Sequence, residues 1–218
     1  MLVELGAGLV GLLAGLAAGP LADRLATNAP VGAGLLGRVP FSRRLPLVTA
    51  GTAVLAGASG LVFGFTLEAL IGALFCWILV VVTRTDLEHR LIPDRIVLPG
   101  AVLMLALRTL DEPSVAWLLG GLGGGLALGL LVLVYPRGMG MGDVKLALVM
   151  GTGLGLGVVV ALFVGFLAGA IPALLLLVRH GRAARKRAIP LGPFLALGGV
   201  VALFAGDVIL DWYWGAGV

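Results

Sequence analysis

Long apolar runs alternate along the chain with short polar stretches. A membrane helix needs about 20 mainly apolar residues, with a range of about 17 to 25. By that measure eight segments stand out, at 2–21, 46–66, 68–83, 95–110, 114–135, 143–156, 157–178 and 192–211. The runs are continuous rather than alternating, which predicts helices and argues against a transmembrane barrel. The third, fourth and sixth are short. The sixth has the length of a re-entrant helix, which is tolerated where protein or a water-filled cavity covers it. The expected fold is all-α: a polytopic helical membrane protein of about eight transmembrane helices.

Composition sharpens this. Of 218 residues, 60% are hydrophobic, 12% are charged and 36 are glycine. A soluble domain carries about 25% charged residues and about 7% glycine. So few charges could not cover a soluble fold of this size, and the hydrophobicity excludes disorder. The net charge of +4 would suggest nucleic acid in a soluble chain. Here the basic residues lie between apolar segments, which points to membrane topology and lipid and not to a nucleic-acid partner. Cys76 is the single cysteine, so there is no disulfide framework and no cysteine metal site. The first apolar run holds Glu4 and lacks a basic start, unlike a cleaved signal peptide.

The charges also orient the chain. With the amino terminus outside and eight crossings, 14 of the 15 basic residues fall inside, and only Arg108 falls outside. Five acids lie inside (Asp23, Asp86, Glu88, Asp94 and Asp143) and six outside, a net of +9 against −5. This is the positive-inside pattern, with both termini outside. Glycines recur four apart at Gly11, Gly15 and Gly19, at Gly120 and Gly124, at Gly121, Gly125 and Gly129, and at Gly165 and Gly169. Such spacing lets helix backbones approach closely in lipid; compositional bias is the competing account.

With charge this scarce, an acid beside a membrane segment is a functional candidate. Asp86 follows the apolar run 70–83 and opens Asp86-Leu87-Glu88-His89-Arg90-Leu91-Ile92-Pro93-Asp94. Asp94, directly after Pro93, is expected to cap the next helix. Asp143 closes Gly140-Met141-Gly142-Asp143 and precedes Val144-Lys145; alone, it reads equally as a helix N-cap. Two carboxylates at the same ends of different helices can be brought together by packing. Sharing a site, they cannot both ionise easily, so one keeps a proton. Such a pair supplies a base for water and an acid for the scissile bond, with no metal or other cofactor.

These residues carry a family resemblance. Asp86…Ile92-Pro93-Asp94, Gly140-Met141-Gly142-Asp143-Val144-Lys145-Leu146 and Ile189-Pro190-Leu191-Gly192-Pro193-Phe194-Leu195-Ala196 resemble prepilin (type IV leader) peptidases, polytopic aspartic proteases with a GxGD motif. The resemblance covers about 70–207, with a weaker match at Gly19-Pro20-Leu21-Ala22-Asp23-Arg24-Leu25. It implies one integral membrane peptidase domain over 1–218, with a catalytic core at about 67–211. It also implies that Asp86 and Asp143 are catalytic, and that the substrate is a prepilin or pseudopilin cleaved on the cytoplasmic face of the cell membrane. Gly140 and Gly142 would let the substrate backbone approach, and Lys145 would steer a substrate carboxylate or snorkel as an anchor. Larger members carry two CxxC pairs that look like a zinc site and also N-methylate the product. The corresponding stretch here, about 28–47, is short and lacks cysteine, so methylation is not expected to carry over.

Four rivals remain. Gly57-Ala58-Ser59-Gly60 resembles a rhomboid nucleophile motif, but the only histidines, His89 and His180, fall in charged loops away from Ser59. A metalloprotease would need an HExxH set. A small transporter using Asp86 and Asp143 as proton or cation sites would place acids near the midplane and show repeated halves. A scaffold would use both aspartates as caps.

Overall fold

The computed structural model describes residues 1–28, 44–136, 139–180 and 189–215. The expected loop arginines Arg38, Arg43, Arg137, Arg182, Arg185 and Arg187, with Lys186, lie outside them. Among the described residues, eight α-helices occupy the eight predicted positions: α1 (Leu2–Asn28), α2 (Leu45–Phe63), α3 (Leu67–His89), α4 (Asp94–Asp111), α5 (Ala116–Val134), α6 (Met141–Leu154), α7 (Val158–His180) and α8 (Gly192–Gly215). No strand occurs among the described residues. The chain is an all-α, multi-pass membrane protein.

Six stretches are long and apolar enough to cross a membrane. One, Met141–His180, spans 40 residues and bends into α6 and α7 at a single 3-10 turn, Gly155–Gly157. That turn begins at Gly155 with φ +56, a left-handed backbone that glycine adopts at little cost. The helix α4 is absent from the six because Asp94, Arg95, Arg108 and Asp111 dilute its hydropathy.

Two helices overrun their apolar cores. The helix α1 continues past residue 21 to Asn28, and α3 continues past residue 83 to His89. Apolar length marks where lipid ends, not where helical hydrogen bonding ends, and Arg84 and Glu88 pair at i,i+4 in the added turn of α3. Asp86 therefore lies inside a helix rather than after one.

The core is built from α3 to α8, around Ile71, Phe75, Leu79, Met104, Leu128, Met150 and Leu195. A smaller cluster of Ala22, Ala26, Val48 and Val81 joins α1, α2 and α3. Glycine lets these helices touch. A Cβ on Gly15 would lie 2.6 Å from the Ala53 Cα of α2, one on Gly121 would lie 2.6 Å from the Thr152 side chain of α6, and one on Gly165 would lie 3.0 Å from the Leu195 Cα of α8. The four-residue spacing is thus used for packing within the chain.

Alternating helix direction sorts the polar residues to two ends. At one end Arg84 meets Asp23, Arg44 meets Glu88, and Lys145 meets Asp94. At the other, Arg108 donates from Nε to the Gly153 carbonyl at 2.8 Å, lies 3.6 Å from Glu68 and stacks over Trp117 at 4.8 Å. Arg108, the exception in the charge count, is buried there as a clamp between α3, α4, α5 and α6.

Candidate functional site

Asp86 and Asp143 come together. They line one cavity of about 360 Å³ with Arg90, Leu91, Ile92 and Asp94 from the α3–α4 connection, Gly140 and Gly142 beside Asp143, and Ile189, Pro190 and Leu191 before α8. All three motif blocks read from the sequence contribute to this lining. Asp86 is 6% exposed and Asp143 9%.

Each carboxylate is held by one backbone amide. Gly192, the first residue of α8, donates its N–H to Asp86 Oδ2 at 2.9 Å. Gly140 donates its N–H to Asp143 Oδ2 at 3.3 Å, and the Asp143 N–H returns to the Gly140 carbonyl at 3.2 Å. Gly140 is therefore the N-cap of α6, and Asp143 sits three residues in, reaching back to it. The N-cap reading of Asp143 does not hold. In both aspartates Oδ1 has no hydrogen-bond partner among the described residues. One oxygen is anchored, and the other is left for chemistry.

The expected cap at Asp94 is also corrected. Pro93 is the N-cap of α4, with no side-chain capping bond. Proline sets φ near −65° and needs no donor, so the helix starts there without a cap. Asp94 instead accepts from Lys145 Nζ at 2.6 Å. Lys145 stands behind Asp94 and does not line the cavity.

The two motif glycines differ. A Cβ on Gly142 would lie 2.9 Å from Ile92 Cβ, so its small size admits the protein's own Ile92. A Cβ on Gly140 would meet nothing closer than 3.9 Å, leaving open space on the cavity wall.

Two contributors went unrecognised in the sequence. Gly192 lay within the third motif block, but only folding shows that its amide reaches a residue 106 positions earlier. Arg90 ends α3 with φ 51 and ψ 42. It is the only non-glycine residue with positive φ among the described residues, and a left-handed backbone costs a residue with a Cβ about 1–2 kcal/mol. Arg90→Gly is expected to raise the melting temperature in detergent, by about 0.5–1 kcal/mol of stability after glycine's own entropy cost. An unchanged or lower melting temperature would count against this strain.

Ser59 is no nucleophile here. It is 0% exposed and its hydroxyl has no hydrogen-bond partner among the described residues, so none of these supplies a base to activate it. A buried hydroxyl without a partner costs about 1–3 kcal/mol. Ser59→Ala is expected to insert and melt at least as well as wild type and to keep full activity. A drop in either would contradict this reading.

Residues 73–174 match the model of the type IV leader peptidase family. A stretch of 59 residues is 42% identical to the prepilin leader peptidase/N-methyltransferase of Legionella pneumophila, covering 27% of this chain and 21% of that protein. A stretch of 62 residues is 39% identical to the protein of the same description from Pseudomonas aeruginosa, covering 28% and 21%. The matched stretch thus spans about a fifth of the length of these curated relatives. No solved structure matches the chain. The matches agree with the resemblance carried by the motif blocks.

Proposed function

We propose, on the premise that residues 73–174 carry the type IV leader peptidase pattern, that this protein is a membrane aspartic endopeptidase. It removes the leader from prepilin- or pseudopilin-like substrates. One observation carries the reading: Asp86 and Asp143, from different helices, line one cavity, each with a single oxygen tied to a backbone amide.

The chemistry follows from that arrangement. One carboxylate takes a proton from water while the oxygen of that water bonds to the scissile carbonyl carbon. The other donates a proton to the carbonyl oxygen. The tetrahedral carbon then releases the amine as the C–N bond breaks: the amine takes up a proton from one carboxyl, one hydroxyl returns its proton to the other, and the C=O re-forms as the product acid. The two carboxyls act and titrate as a unit. The open wall at Gly140 receives the extended substrate backbone. Gly142 keeps Ile92 seated against the motif, and Lys145 contacts substrate only from its place behind Asp94.

Cleavage occurs at the cytoplasmic face of the cell membrane, with both termini outside. The support is the distribution of basic residues, 14 of 15 on one side, together with the ion pairs that gather at the same helix ends as Asp86 and Asp143. Helices α1 and α2 belong to the same domain as the core. The methyltransferase activity in the relatives' descriptions is left with those relatives. A transporter reading finds no support, since both aspartates belong to terminal turns of their helices rather than to the middle.

Co-expression with a prepilin tests the proposal, with leader removal followed as a mobility shift and by sequencing of the product's amino terminus. A wild-type chain that inserts stably and leaves prepilins and pseudopilins intact would overturn it.

A further inference from the structure

A second set of charges lies on the side of α3 turned away from the cavity. Asp23 of α1 is 1% exposed and Arg84 of α3 is 5%. Arg84 Nε stands 3.5 Å from Asp23 Oδ1, and Arg84 Nη1 pairs with Glu88 one turn further on. Glu88 is also 3.6 Å from Arg44 Nε, beside the start of α2. Three helices thus meet through four charged side chains.

The helical period gives this set its meaning. At about 100° per residue, Arg84 and Glu88 share one face of α3, within about 40° of each other. Asp86 points about 160–200° away from both. The same turn therefore grips α1 and α2 with one face and offers Asp86 to the cavity with the other. It is the final turn of α3, closed by left-handed Arg90, and terminal helical turns fray unless tied down. A buried ion pair is weak evidence for stability, because desolvation offsets much of the attraction.

We infer that Asp23 and Arg84 are positioning residues for Asp86. The α1–α2 hairpin braces the last turn of α3 and so holds the Asp86 carboxylate against the Gly192 amide. This rests on Asp86 being catalytic, and it assigns a role to helices outside the matched region 73–174.

The test is the double variant Asp23→Asn/Arg84→Gln, which removes both charges and keeps a polar side chain at each position. In detergent it is expected to melt within a few degrees of wild type. Leader cleavage should show kcat lowered about 10-fold or more with KM unchanged, since small misplacement of a reacting group costs rate rather than binding. Amide exchange should accelerate at residues 86–90 and at Gly192. Wild-type kcat with unchanged exchange would overturn the inference. If the double variant does not insert, Arg84→Lys keeps the charge but loses the guanidinium fork. It is expected to lower kcat at retained stability, and wild-type kcat there would equally overturn the bracing. Should the wild-type chain cleave no leader, the peptidase reading falls. The exchange of residues 86–90 still decides whether the hairpin braces that turn.

Discussion

Asp86→Asn and Asp143→Asn are each expected to remove leader cleavage, lowering the rate by at least about 100-fold, the usual scale for loss of a positioned acid or base. Both variants are expected to insert at wild-type levels. Asparagine is nearly isosteric with aspartate and keeps a carbonyl oxygen. The Gly192 amide can still donate at position 86, and the Gly140 amide at position 143. What is lost is the capacity to take up and release a proton. The double variant should be no slower than the slower single one, because groups that act as a unit are not additive. The measurement is cleavage of co-expressed prepilin, normalised to peptidase in the membrane. A stably inserted single variant that still processes substrate at near wild-type rate would sink the aspartic mechanism. A prepilin cleaved equally by both variants would move the chemistry to other residues.

Gly192→Ala comes next in expected size. A Cβ at this position would lie 2.7 Å from Asp86 Oδ2 and 3.1 Å from Asp86 Cγ. The alanine itself is a good helix residue, so α8 is expected to form and the protein to insert. The carboxylate must then swing away and loses its amide partner. Cleavage is expected to fall about 100-fold, the scale of a 1 Å displacement at a reacting centre. KM should change little, because Gly192 is not among the residues lining the cavity. Gly123→Ala is the control, since a Cβ there meets nothing within 4 Å. If Gly192→Ala cleaves as fast as Gly123→Ala, the amide does not hold Asp86 for catalysis.

Much of this architecture is legible in the sequence because lipid imposes it. Continuous apolar runs locate all eight helices, and alternation of direction brings Asp23, Arg84, Asp86, Asp94 and Asp143 to one end. The boundaries are less legible. Hydropathy stops at residue 83 in α3, whereas hydrogen bonding runs on through Asp86 to Arg90. The apolar stretch Met141–His180 is continuous, so the sequence divides it at 156/157 by length alone, and the left-handed turn at Gly155 supplies the physical cause.

The site was legible as residue types and not as contacts. Asp86 and Asp143 stand out because acids are costly beside lipid. Gly192 does not, since nothing in a chain with 36 glycines distinguishes a glycine that yields to Asp86 from one that packs helices; Gly142 stands out in its motif, but as room for substrate rather than as the seat of Ile92. Asp94 misled for a related reason. Its position after Pro93 fits a cap, but its partner, Lys145, lies 51 residues away in α6.

The bond from Gly192 to Asp86 also sets an order in time. The chain is made from the amino terminus, and both aspartates enter the membrane with α3 and α6. The amide that orients Asp86 belongs to the first residue of α8, which is made later than both. A nascent chain that has laid down α1 to α7 therefore holds both aspartates without the amide that orients Asp86. On the proposed reading, hydrolytic competence arrives only when α8 docks, and a half-assembled bundle is kept inert by its own topology.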